Sequence, residues 1–201
     1  MSKYLESCKT EFWREVFEKE LEYILRELKG YKNVLSVGCG PAIIERGLQE
    51  NGFNVTGLDV SKEALEGAPD SIRAVIGSAE NMDFEDASFD AAIYVASLQF
   101  IDNYEEAIQE TARVLKPKGR LLVMLLNPKS DFFEERWRRT DSYVRKIKHK
   151  ENLDIEKIKE AILKYFDSIK TEYYLGIKSE KIFETKDPNL TALYVIQGRK
   201  K

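Results

Sequence analysis

The chain has 201 residues, 43% of them hydrophobic and 33% charged, with a formal net charge of −3. That is enough for one domain with its own core, too apolar for a disordered chain, and too acidic overall for a broad phosphate-binding face. The longest apolar run, residues 121–126, cannot cross a bilayer, and the first residues lack the apolar centre of a signal peptide. Cys8, Cys39 and His149 are too few soft ligands for a disulfide framework or a zinc cluster, so a cytoplasmic protein with no membrane insertion and no metal is expected.

In chain order, Phe12, Val16, Phe17, Leu21, Ile24, Leu25 and Leu28 recur at helical spacing, and Gly30 stops the run. An amphipathic helix over residues 11–28 therefore precedes the first strand. Short apolar runs then alternate with helical stretches, giving strands over 33–37, 53–59, 72–77, 89–96 and 120–126 and helices over 43–49, 62–66 and 104–115. Asn103 with Glu106 three residues on marks one helix start, and Pro117-Lys118-Gly119 marks its end. Such alternation predicts an α/β fold, a Rossmann-like doubly wound, mostly parallel sheet of seven strands. After Asn127-Pro128 come a polar stretch at 129–152, a helix at 155–166 and strand-like runs at 168–177 and 190–197, read as an antiparallel C-terminal hairpin. Residues 1–201 read as one domain: an N-terminal helical segment at 1–30, a core at 31–127, a variable cap at 128–152, and a helix with C-terminal strands at 153–201.

The chemistry concentrates at two strand ends. Val34-Leu35-Ser36-Val37-Gly38-Cys39-Gly40-Pro41 is a buried strand running into a Gly-x-Gly corner, where the backbone can approach a ligand that any Cβ would repel. Roughly twenty residues later Val55-Thr56-Gly57-Leu58-Asp59 ends on a carboxylate, whose two acceptor oxygens match the vicinal hydroxyls of an adenosine ribose. Ser61 is the better placed cap for the following helix, which leaves Asp59 free to clamp the ribose. Right-handed crossovers place Gly38, Asp59, Ser78 and Tyr94 along one sheet edge, facing one crevice.

These segments resemble the class I methyltransferases that use S-adenosylmethionine, in particular the small-molecule branch related to the ubiquinone and menaquinone enzymes (methyltransferase type 11). Val34 to Pro41 resembles the glycine-rich first motif and Val55 to Ser61 the acidic second one. Gly77-Ser78-Ala79-Glu80-Asn81-Met82-Asp83-Phe84 with Ser88-Phe89-Asp90 resembles the adenine-binding segment and fourth strand, and the run from Ala112 to Leu121 the fifth. The resemblance implies S-adenosylmethionine as cofactor and in-line attack on its sulfonium methyl by a small-molecule acceptor. It implies that Gly38, Cys39 and Gly40 pass under the methionine part, Asp59 holds the ribose, Ser78, Ala79 and Glu80 border the adenine and Tyr94 and Val95 line the sulfonium end, with Ser36, Val60 and Ser61 also among the cofactor-binding residues. Ser36 stands where the family usually has an acid that helps hold the cofactor's ammonium, Ala42 where it usually has Gly, and Ser78 where Asp is common.

No residue is assigned as a catalyst, because a cationic sulfur already makes a good leaving group and the protein mainly orients and excludes water. Cys39 is read through its backbone rather than as a nucleophile, and His149 as a solvated residue. Tyr94 and Gln99 are read equally as methyl-site neighbours and as floor packing. Tyr4, Phe12 and Trp13 lead into the first strand as a segment that either folds over the cofactor or packs on the sheet. Residues 129–150 carry eight basic against four acidic side chains, with Phe132, Phe133, Trp137 and Tyr143 among them. This stretch is read as either a solvated helix or a cap steering an acceptor that bears a carboxylate or phosphate. Alternatives to the enzyme are a non-catalytic S-adenosylmethionine-binding protein and an RNA (tRNA) methyltransferase; nucleic acid is disfavoured by the acidity and by Tyr94-Val95-Ala96-Ser97 after the fourth strand. A dinucleotide oxidoreductase is disfavoured by Ile43, which stands where a third glycine is needed.

Overall fold

The computed structural model describes residue 6 and residues 8–201; residues 1–5, Tyr4 among them, and residue 7 lie outside the described residues. Helix α1 (Glu11–Glu27) starts at Thr10, whose hydroxyl accepts from the Trp13 amide at 3.4 Å, and its chain leaves through Gly30 at φ +93°. The sheet runs β1 (Asn33–Val37), β2 (Asn54–Asp59), β3 (Arg73–Ile76), β4 (Phe89–Val95), β5 (Leu115–Leu126), β6 (Phe166–Lys178), β7 (Lys181–Phe183) and β8 (Thr191–Lys200). Its spatial order is β3-β2-β1-β4-β5-β8-β6-β7, with β1 to β5 parallel and β8, β6 and β7 antiparallel. The chain winds outward from β1 through β2 to β3, then returns to β4 on the other side of β1. The crevice over the ends of β1 and β4 is therefore the switch point where such sheets hold ligands.

The sheet has eight strands, not the seven expected. The addition is β7, three residues whose turn, Ser179-Glu180, has both residues at positive φ (+50° and +56°) without the glycine or asparagine that announces such a hairpin. The expected antiparallel C-terminal hairpin is β6 with β8, paired through Tyr173 and Tyr194, and it joins the parallel part of the sheet through β8, where Leu193 pairs with Leu126 of β5.

Alternation along β1 divides the core. Leu35 and Val37 face α4 (Tyr104–Val114) and α6 (Ile155–Tyr165), whereas Val34 belongs with α1, α2 (Ile43–Glu50) and α5 (Asp131–Arg138) on the opposite face. A short α3 (Lys62–Leu65) follows β2. Both faces are covered, as a largely parallel sheet requires. Asn103 caps α4 through the Glu106 amide, as its sequence predicts. Among the described residues no helix is long and apolar enough to cross a membrane.

Candidate functional site

The turn after β1 is set by backbone. Gly38 has φ +74°, and a Cβ there would lie 2.5 Å from Ser97 Cβ. The Gly38 and Cys39 amides both donate to the Leu58 carbonyl, at 2.7 and 3.2 Å, while Ser97 Oγ donates to the Val37 carbonyl at 2.6 Å. The corner is thus stitched to β2 on one side and to the loop after β4 on the other. Ala42 opens α2 in the left-handed region at φ +55°, with no side-chain cap, where a residue with a Cβ pays about 1–2 kcal/mol.

Asp59 is not idle, as its sequence context suggests, but pinned. Its Oδ2 accepts from the Gly40 amide at 2.9 Å and its Oδ1 from the Ser61 amide at 2.8 Å, while Ser61 Oγ caps α3 through Ala64 at 3.2 Å. Each carboxylate oxygen retains a second acceptor lobe, so a fixed pair of acceptors remains for a diol. Val60 beside it is 75% exposed, and Ile76, paired with Asp59 across β2 and β3, is 58% exposed. Two large apolar side chains held open to solvent beside a carboxylate suit the flat face of a nucleoside base. Val60 was expected here; Ile76 was missed, since in sequence it is only one residue of a strand.

Ser78, Ala79 and Glu80 form a turn that closes on itself. Ser78 Oγ donates to Glu80 Oε2 and accepts from the Glu80 amide, both at 3.1 Å, and Glu80 Oε1 receives the Asn103 amide at 2.6 Å, so Glu80 ties this turn to the start of α4. Ala79 is buried in the core beneath.

The expectation for Tyr94 is corrected. Its ring is fully buried under α4, with the hydroxyl 3.2 Å from the Ala107 carbonyl and 2.6 Å from Thr111 Oγ1, and burial holds the phenol above its ordinary pKa. Strand alternation sends it to the face opposite the roof and leaves half-buried Val95 on the roof side. Gln99 is likewise structural: its amide donates to the Leu126 carbonyl at 3.1 Å and accepts from the Leu126 amide at 2.7 Å. Cys39 is buried with its sulfur over Gly57, and burial, then the charges of Glu45 and Asp59, push the thiol up, so it stays protonated and is no nucleophile. His149 is half exposed, 3.7 Å from Asp102 at the surface.

Two glutamates that sequence reading missed lie beneath this corner. Ser36, 2% exposed, donates its hydroxyl to Oε1 of Glu45 in the first turn of α2, and Glu45 is itself 2% exposed. Burial pushes the Glu45 carboxyl up to about 7 against the Ser36 bond. Glu20, 5% exposed on α1, is pushed up to about 8, by burial first and by the charge of Glu45 second. The signal was present: Glu20 occupies the i+4 position between Val16 and Ile24, in the middle of the apolar face.

Above lies a roof of rings. Trp13 meets Phe12, Phe17, Phe132 and Tyr143 with centroids 5.4 to 6.4 Å apart, and Tyr143 stacks on Phe100 of the loop after β4 at 6.2 Å. The Arg136 guanidinium lies 3.6 Å from the Phe132 centroid. Phe132 and Phe133 are buried, so α5 is a packed element rather than a solvated helix. Arg138 pairs with Glu134 at 3.0 Å and Arg139 with Asp141 at 3.5 Å, while Arg136 forms no ion pair with any described residue.

Residues 35–123 match the methyltransferase domain model. The chain is 32% identical over 127 residues to the ubiquinone biosynthesis O-methyltransferase of Alkalilimnicola ehrlichii, covering 56% of this chain and 51% of that protein. It is 30% identical over 121 residues to the sterol 4-C-methyltransferase strm-1 of Caenorhabditis elegans, covering 55% of this chain and 36% of that one. The chain spans about half the length, or less, of these curated relatives. A SAM-dependent methyltransferase from Archaeoglobus fulgidus superposes with a TM-score of 0.77 at 17% identity, over 99% of this chain and 100% of that one. A Thermotoga maritima SAM-dependent methyltransferase gives 0.75 at 23%, over 92% and 89%. At such identities the likeness is one of fold, and it extends beyond the methyltransferase domain to α1 and the C-terminal strands.

Proposed function

We propose that the chain is a cytoplasmic S-adenosylmethionine-dependent methyltransferase acting on a small-molecule acceptor. The observation that carries this reading is the pinned Asp59 carboxylate, set beside the Gly38–Gly40 corner and the exposed Val60 and Ile76. In this assignment Gly38, Cys39 and Gly40 pass under the methionine part and Asp59 and Ser61 border the ribose. Val60 and Ile76 face the adenine, and the Ser78-Ala79-Glu80 turn closes that end.

The cofactor supplies an activated methyl on a cationic sulfur. The chain's own work is to hold the acceptor in line and keep water out, through the closed corner below and the Trp13–Phe132–Tyr143 rings above. Of the arginines at 136, 138 and 139, Arg136 is the one left to meet an acceptor's carboxylate or phosphate, since Arg138 and Arg139 are paired with neighbours. Neither the RNA reading nor the non-catalytic one has a specific observation in its favour.

Titration calorimetry tests the assignment. S-adenosylhomocysteine should bind and NADH should not. Asp59→Ala should weaken S-adenosylhomocysteine by about ten- to a hundred-fold, the loss of charge-assisted bonds worth about 1.5–3 kcal/mol. NADH binding without a response to adenosyl ligands would refute the assignment.

A further inference from the structure

Glu20 breaks the usual rule for buried charge. Carboxylates at 5% exposure are ordinarily paired, yet Glu20 makes no hydrogen bond or ion pair with any described residue. Among the described residues the one buried side-chain polar atom that is both sealed from solvent and unbonded is Arg120 Nε. The oxygens of Glu20, equally unbonded, therefore keep contact with open space. The neighbouring charge it feels is that of a second buried acid, Glu45, whose carboxylate takes the Ser36 hydroxyl. No cation pairs with Glu20: α1 gives Val16, Tyr23 and Ile24 to the same face, α2 gives Ile44 and Leu48, and Tyr143, which lies in the field of Glu20, also feels the Arg136 guanidinium.

Ser36 lies on β1 two residues before Gly38, so Glu45, which takes the Ser36 hydroxyl, and Glu20, within the field of Glu45, lie against the strand that leads into the proposed methionine end of the crevice. We propose that Glu20 and Glu45 form a receptor for a protonated amino group of a bound ligand. Two sources share that chemistry: the ammonium of the cofactor's amino-acid part and an amine on the methyl acceptor. The inference rests on the crevice being the ligand site. It gives Ser36 a role as the hydroxyl that holds Glu45 in place, the acid being carried on a helix rather than on the strand. With Glu20 held largely protonated at neutral pH by burial, arrival of an ammonium would expel the carboxyl proton to buffer, the ammonium keeping its own.

The test uses the full chain with Glu20→Gln and Glu45→Gln, each close in size to the native residue and checked for folding by thermal melting. Calorimetry compares S-adenosylhomocysteine with 5′-methylthioadenosine, which lacks the amino-acid part. Methylammonium chloride, against sodium chloride at equal ionic strength, probes for an amine site with and without S-adenosylhomocysteine. A loss of ten-fold or more in S-adenosylhomocysteine affinity with methylthioadenosine unchanged assigns the receptor to the cofactor. Unchanged S-adenosylhomocysteine affinity, with a methylammonium-specific rise in melting temperature lost in the variants, assigns it to the acceptor. In either case ligand binding by the native protein near pH 7 should release protons, read as dependence of the heat on the buffer's ionisation enthalpy; Glu20→Gln should reduce that release and the double variant Glu20→Gln/Glu45→Gln should abolish it. Folded variants that match the native protein in both ligand affinity and methylammonium response overturn the proposal. A native protein that binds neither adenosyl ligand refutes the methyltransferase assignment instead, and the methylammonium comparison then still decides for or against the receptor.

Discussion

The two sides of the crevice are built on opposite plans. Along the β1–β2 edge each functional group is bonded in place: Asp59 by two amides, the Gly38 corner by Leu58 and Ser97, Glu80 by Ser78 and Asn103. Under the α1–α5 roof, Glu20 makes no hydrogen bond or ion pair with any described residue, Glu45 takes the Ser36 hydroxyl, and Arg136 lies on an aromatic ring with Glu135 and Glu180 near but no ion pair among the described residues. The first arrangement presents donors and acceptors that need not reorganise when a ligand arrives. The second holds carboxyls that burial keeps protonated, whose ionised form is costly at low dielectric until a complementary group comes. Rigidity on one side and buried acids on the other suit a site that positions a common cofactor and then selects what reacts with it.

The largest effect that would break this contrast is pH dependence. Glu20 and Glu45 carry protons in the folded state up to about 8 and 7, against an ordinary carboxylate value of 4.5. Folding therefore takes up protons between those limits. The stability is fully present below about 4.5 and is lost as pH rises through 7 and 8, on the order of several kcal/mol in all. The unliganded protein should melt at least about 5 °C lower at pH 8.5 than at pH 5.5, and the double variant Glu20→Gln/Glu45→Gln should flatten that slope. A slope as steep in the double variant as in the native chain would end the distinction between the two sides.

A smaller effect sharpens the boundary of the site. Tyr94→Phe removes a buried hydroxyl from Thr111 and Ala107 and should cost about 1–3 kcal/mol in denaturant unfolding while leaving S-adenosylhomocysteine affinity unchanged. A change in affinity at equal folding would return Tyr94 to the crevice. The smallest effect lies at the corner. Ala42→Gly, relieving a left-handed alanine at φ +55°, should raise stability by up to about 1 kcal/mol, measured by the same unfolding; destabilisation would mean that the Ala42 methyl packs better than its backbone suffers.

Much of this arrangement was legible in the chain. The span of β1, the caps at Asn103 and Ser61, the doubly wound order and the pairing of the glycine corner with Asp59 follow from local periodicity and turn chemistry, which act within a few residues. Alternatives stayed open where side chains met partners far away in sequence. Tyr94 follows the crevice in the chain but alternates to the other face of β4, and Gln99 closes on Leu126. The hairpin to β7 lacked its usual turn residues because pairing with β6 imposes positive φ on Ser179 and Glu180.

The sequence by itself determined the class of fold, the strand ends that carry the methyltransferase motifs and the residue types presented there, since hydrophobic period, glycine and capping signals are local. Only the tertiary structure decided which acid does what. Packing of α1 on α2 brings Glu20 within the field of Glu45, and the fold of α2 onto β1 brings Glu45 to Ser36, nine residues away, replacing in space the charge that position 36 lacks in sequence. Burial and proximity set the strength of a charge, and both are properties of the folded chain.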